Sequence, residues 1–138
     1  MRQINRVIVH CSATPPNRTI GAEEIREWHV NERGFDDIGY HYVIRRDGRI
    51  DKGRDLDTPG AHAEGFNEDS VGICLVGGVD ENGRSFSNYT RAQMDALVLL
   101  SKGLQHRYGK DVEFLGHRDL PDVAKDCPCF DVSEFLIP

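Results

Sequence analysis

The sequence predicts a three-layer α/β domain in which helices flank a central mixed β-sheet. Three observations carry this. The segments 5–11 and 70–76 are short, β-branched and apolar on both faces, the pattern of strands buried between layers. The segments 20–32 and 90–108 have one apolar stripe at helical spacing. Finally, Asp47-Gly48 between 39–45 and 49–52 is a strong hairpin signal, which demands an antiparallel pair, whereas helical connections permit parallel ones.

Each element has its own local justification. The first strand ends at His10 and Cys11 and gives way to a loop over 12–18. In the first helix Ile25, Trp28 and His29 share a stripe, Glu23 and Glu24 favour its positive N-terminal end, and Gly34 stops it. Residues 53–67 show neither helical nor strand period and are rich in Gly and Asp, so a long ordered loop is expected there as the wall of a site. After a turn-rich stretch over 77–88, Thr90-Arg91-Ala92-Gln93 has the spacing of a capping box, with Met94, Leu97, Val98, Ser101 and Leu104 on the inner stripe and Gly109 at the end. A short strand over 112–115, an irregular stretch over 116–130 and a last turn capped by Asp131 complete the chain. No repeat, low-complexity tract or linker interrupts it, so residues 1–138 read as one domain.

Composition narrows the function. Seventeen Lys and Arg against 23 Asp and Glu give a net charge of −6, which disfavours binding to nucleic acid or to an anionic membrane surface. The longest apolar runs, 7–9 and 96–100, are too short to span a bilayer, and no secretion signal is visible, so the chain is expected in the cytoplasm on synthesis. Without a secretory context the four cysteines read as free or metal-bound rather than bridged.

The ligand-type residues outside element interiors are His10 at the end of the first strand, His117 after the last, and Cys127 and Cys129 beyond it. Two imidazoles and one thiolate form a known zinc set, and three protein ligands with an open fourth position characterise a catalytic site. Spacing alone leaves a second reading open, in which His10 is a core histidine, His117 a surface one and Cys-Pro-Cys an ordinary loop. Cys11 alternates with His10 and is expected on the opposite face, and Cys74 lies in a buried-looking run, so both read as small core residues. His29 and His106 sit on helices and His41 alternates with Tyr40, so all three are expected outside the site.

The stretches VIVHCSAT (7–14), DIGYHYVIRRDGRI (37–50), GAHAEGFN (60–67), SVGICLVGGVD (70–80), GHRDL (116–120) and AKDCPCFD (124–131) resemble the zinc-dependent N-acetylmuramoyl-L-alanine amidases. They are most similar to the short phage lysozyme-amidases of the T7 type, kin of the peptidoglycan recognition proteins. The resemblance implies that fold, one Zn2+ per chain on His10, His117 and Cys127, and Tyr40 and Lys125 as catalytic residues. Cys129 falls where the family needs no ligand. His62 and Asn67 resemble positions near the substrate groove, and Ser12, Thr14 and Arg118 flank ligands; His62, Asn67 and Thr14 are the candidates for substrate binding, with loop-stabilising hydrogen bonds as the alternative role for each, and Asp119 is a candidate to orient His117.

The implied substrate is the amide joining the lactyl group of N-acetylmuramic acid to L-alanine in peptidoglycan. Its hydrolysis needs an activated water, oxyanion stabilisation and a proton for the leaving amine. The zinc would activate water, Lys125 would face the oxyanion, and Tyr40 would orient the water or relay its proton. The expected setting is a monomeric phage or prophage endolysin, or a bacterial cell-wall hydrolase, with no nucleic-acid or membrane partner. A non-catalytic peptidoglycan-binding module and a Cys-His hydrolase with a thiolate nucleophile are the alternatives.

Overall fold

In the computed structural model, which describes residues 2–121 and 123–136, β1 (Arg6–Cys11) lies at the heart of a five-stranded sheet. It runs parallel to β4 (Ser70–Leu75) on one side and to β5 (Glu113–Gly116) on the other. Beyond β4 comes β2 (Tyr42–Ile44), also parallel, and the edge is β3 (Ile50–Lys52), antiparallel to β2 across the Asp47-Gly48 turn. The order β3-β2-β4-β1-β5 is the mixed sheet expected, with the hairpin as its antiparallel part.

Alternation along the strands sorts side chains between two layers. Val7, Val9, Val71, Ile73 and Leu75 pack with Leu97 and Leu104 of α2 (Arg91–Tyr108) and with Val132 of the short α3 (Val132–Phe135). On the opposite face Cys74 and Val43 pack with Ile20, Ile25 and Ile38 at α1 (Ala22–Arg33), while Ile8 packs with Ala63, Leu115 and Leu120 under loops. These are the three layers: α2, the sheet, and α1 with the long loops.

The caps explain where the helices begin. Thr90 Oγ1 accepts the Gln93 N–H (3.1 Å) and Gln93 Oε1 accepts the Thr90 N–H (3.0 Å), the reciprocal pair expected from sequence. Gln93 is fully buried, and its amide also donates to Ile44 O (3.2 Å) and Val76 O (2.8 Å), fastening α2 to the ends of β2 and β4. The first helix starts two residues later than its periodicity suggests, because Ile20 packs beneath it and Asp51 of β3 accepts the Ala22 N–H (2.9 Å). Asp51 is itself held by Arg45 (2.7 Å). Two single-turn 3-10 segments, Asn67–Asp69 and His117–Asp119, lie in stretches read as aperiodic, being too short to show a period. No helix among the described residues is long and apolar enough to cross a membrane.

Candidate metal centre and active site

The site forms at one end of adjacent parallel strands. Val9 of β1 pairs with Gly116 of β5, so the next residues, His10 still within β1 and His117 in the turn after β5, stand side by side with ring centroids 4.5 Å apart. The chain then turns through His117–Asp119 and loops back over the strand ends with Cys127. Three contacts hold that loop: Arg118 N–H donates to Cys127 O (2.8 Å), Cys11 N–H to Cys127 Sγ (3.0 Å), and the Tyr89 hydroxyl to Pro128 O (2.7 Å). A Cβ at position 116 would lie 2.7 Å from Pro128 Cδ, so the loop closes this tightly only over a glycine.

One ligand atom each from His10, His117 and Cys127 lie within 4.8 Å of one another, the single such cluster of three among the described residues. Burial keeps His10 well below the usual imidazole range, with smaller contributions from His62, His117 and Lys125, and burial also lowers His117. Both rings are therefore neutral near pH 7 and offer a lone pair. Two neutral imidazoles and a thiol with an open side toward a cleft fit zinc better than a hard cation, which would seek oxygen ligands.

Cys11 and Cys74 are both buried in the core, and Cys127 is the one cysteine of the cluster. Cys74 is fully buried, as expected, and Cys129 lies outside the cluster with its thiol donating to Gly78 O (3.4 Å). Cys11, however, is more than core filling. Its backbone N–H donates to the Cys127 sulfur (3.0 Å). The reason is tertiary: the loop carrying Cys127 crosses the end of β1, where it meets both His10 and Cys11. The neighbouring Cys127 thiol holds the Cys11 thiol below its ordinary value, while the Cys11 thiol and burial push Cys127 up. The Cys11 N–H is the contact that favours thiolate on Cys127 itself.

Tyr40 stands beside the cluster, its ring centroid 5.2 Å from that of His10 and 5.4 Å from that of His29. Burial raises it well above the ordinary tyrosine range, so the hydroxyl keeps its proton. Lys125 is exposed, lines the same cleft, and its charge bears on both histidines of the cluster. His29 lies closer to the site than helix position suggested: it lines the cleft, and its Nδ1 accepts the Gly39 N–H (2.8 Å), fixing the backbone before Tyr40. His41 is fully buried away from the cleft and His106 is exposed on α2, both as expected.

The cleft has a volume of about 1090 Å³, walled by α1 through Trp28, Glu32 and Arg33, by residues 61–67 and by the loop carrying Lys125. His62 and Asn67 line it. Asn67 Oδ1 accepts the N–H groups of His62 (3.0 Å) and Ala63 (2.9 Å), which shapes the wall from within. His62 has one ring nitrogen 2.8 Å from His10, a contact that the aperiodic loop sequence gave no means of anticipating. Of the two readings of Thr14, its contacts match the loop-stabilising one. It is buried outside the cleft lining, with its hydroxyl 2.6 Å from that of Ser12, which accepts the Gly77 N–H (2.9 Å), so it braces the loop after β1. Asp119 acts through the backbone rather than on the His117 ring, accepting the Gly116 N–H (2.8 Å) at the turn.

Comparison with known proteins agrees with this geometry. The family model described as N-acetylmuramoyl-L-alanine amidase matches residues 1–130. An endolysin of Enterobacteria phage K11 is 44% identical over 135 residues, covering 98% of this chain and 87% of that relative. The endolysin of Escherichia phage T7 is 44% identical over 129 residues, covering 94% and 83%. Among solved structures, the N-acetylmuramoyl-L-alanine amidase LysC from Clostridium intestinale superposes with a TM-score of 0.81 at 29% identity, over 97% of this chain and 83% of that one. With a match of this extent in both sequence and fold, the chain belongs to the N-acetylmuramoyl-L-alanine amidase family.

Proposed function

We propose that this chain hydrolyses the amide between N-acetylmuramic acid and L-alanine in peptidoglycan, as a monomeric endolysin carrying one zinc ion on His10, His117 and Cys127. The observation that carries the reading is the convergence of those three donors on the cleft. When bound, the zinc supplies Lewis acidity and a water whose pKa falls toward ~7.

The protein's own groups supply the rest. Cys127 as thiolate lowers the net charge of the centre, which leaves more of the oxyanion stabilisation to neighbouring donors. Lys125 provides a cation at the cleft mouth for the oxygen that gains charge as the amide carbonyl is attacked. Tyr40, half-buried with its ring beside that of His10 and its hydroxyl protonated, would hold the attacking water or pass a proton toward the leaving amine. The walls formed by α1 and residues 61–67 give the glycan-peptide an extended groove, with His62 and Asn67 along it.

The test uses purified cell walls and follows the appearance of L-alanine amino termini. Dialysis against a strong chelator is expected to abolish turnover and one equivalent of zinc to restore it. Lys125→Ala is expected to lose about 10²–10³ in turnover while keeping its zinc. Full activity after metal removal, or loss on thiol alkylation that zinc does not protect against, would replace the zinc reading with a cysteine nucleophile.

A further inference from the structure

His62 sits in the long loop after β3, yet its ring is as firmly placed as a core residue. It lies over β4, where Gly72 makes room for it: a Cβ there would stand 2.6 Å from His62 Cδ2. Its backbone N–H is taken by Asn67 Oδ1, and its ring meets that of His41 edge-on at 5.9 Å. Both of its ring nitrogens have partners. Nδ1 lies 2.8 Å from His10 Nε2, and Nε2 lies 3.3 Å from Ser70 Oγ.

The proton arrangement follows by elimination. A neutral imidazole has one N–H and one lone pair. If His62 donated to His10, the His10 Nε2 lone pair would be occupied and its proton would sit on Nδ1, leaving no nitrogen for a metal. With His10 as donor, its Nε2–H goes to His62 Nδ1, its Nδ1 lone pair is free, and His62 carries its own proton on Nε2, which Ser70 Oγ accepts.

We propose that His62 is a positioning residue of the metal centre, accepting the Nε2–H of His10 and thereby presenting His10 Nδ1 to the zinc. The proposal rests on the zinc assignment above and changes the role of His62 from a substrate contact, since neither ring nitrogen is left for substrate. Metal-bound histidines usually donate their second N–H to a carboxylate, a carbonyl or water. An imidazole in that place orients the ligand without adding negative charge beside a thiolate-bearing centre.

The experiment measures zinc affinity by competition with a chromophoric chelator, independently of turnover. His62→Phe keeps the ring but removes the acceptor, and is expected to weaken zinc binding about 10- to 100-fold. His62→Asn, whose amide oxygen lies near the former Nδ1, is expected to recover most of that loss. Wild-type zinc affinity in folded His62→Phe, or an equal loss in both variants, would overturn the proposal. Cys127→Ala serves as the control for the underlying assignment: if it binds zinc like the wild type, the ligand set itself is wrong, whereas its failure to bind alongside a normal His62→Phe condemns only the role of His62. Ring nitrogen NMR of the zinc-loaded wild-type protein needs no variant to fold. It should show His10 bound through Nδ1 and protonated on Nε2, and the reverse pattern refutes the assignment.

Discussion

The two faces of β1 and β4 are made from the same strands and have opposite characters. Toward α2 they present Val7, Val9, Val71, Ile73 and Leu75, all fully buried and packed on Leu97 and Leu104. Toward α1 and the long loops they present Ile8, His10, Gly72 and Cys74, and over these stand the rings of Tyr40, His41 and His62. The histidines against the sheet on the site face all find partners: His10 with His62, His62 with Ser70, and His41 with Gly72 N–H and Thr58 O. The single buried side-chain polar atom without a partner among the described residues is Ser101 Oγ, on the packed face. A dry face excludes water whether or not every hydroxyl is satisfied, whereas a face carrying imidazoles works only if each ring holds its one proton on a defined nitrogen.

Stability and metal binding should therefore separate along this divide. The largest effect on the packed face is expected from Leu97→Ala, which removes a fully buried side chain and should cost about 2–5 kcal/mol in urea unfolding while leaving zinc stoichiometry unchanged. Loss of zinc in the folded variant would show that the two faces are not separable.

On the site face the telling variable is pH. Burial lowers His41 to about 4 from its ordinary value near 6.5, so the native state resists taking up a proton that the unfolded chain accepts. The stability this contributes is complete above pH 6.5 and is lost as pH falls from 6.5 to 4. At roughly 1.4 kcal/mol per pH unit the loss is about 3 kcal/mol. In the metal-free protein, His41→Asn should flatten the stability profile over that window, and an unchanged slope would place the acid sensitivity elsewhere.

The smallest expected effect has the opposite sign. Ser101→Ala removes the orphaned hydroxyl within α2 and adds a better helix former, so it should stabilise by about 1 kcal/mol. Destabilisation would mean that the hydroxyl has a partner after all.

Much of the fold was legible because its signals are local. The Thr90–Gln93 box opens α2 as read, Asp47-Gly48 turns the hairpin, and the β-branched runs around Val9 and Ile73 form the central strands. Of the site, His10, His117 and Cys127 were picked out by residue type and by resemblance to a family, not by spacing. The partners of Thr14 and Cys11, by contrast, come from Ser12, Gly77 and the Cys127 loop, which strand alternation does not describe. The bond of His62 to His10 spans 52 positions and leaves no trace in either neighbourhood.

By itself, then, the sequence determined which segments are strands and helices, where the helices are capped, and which residues could serve as metal ligands. Those choices depend on side-chain period, backbone preference and donor chemistry within a few residues. Only the tertiary structure decided that three of the donors meet. That rests on β1 and β5 lying parallel with Val9 opposite Gly116, on a glycine that admits the returning loop, and on Gly72 opening space for the His62 ring. Each of these is a long-range steric fit between chain segments, settled when the sheet assembles and the loops close over its edge.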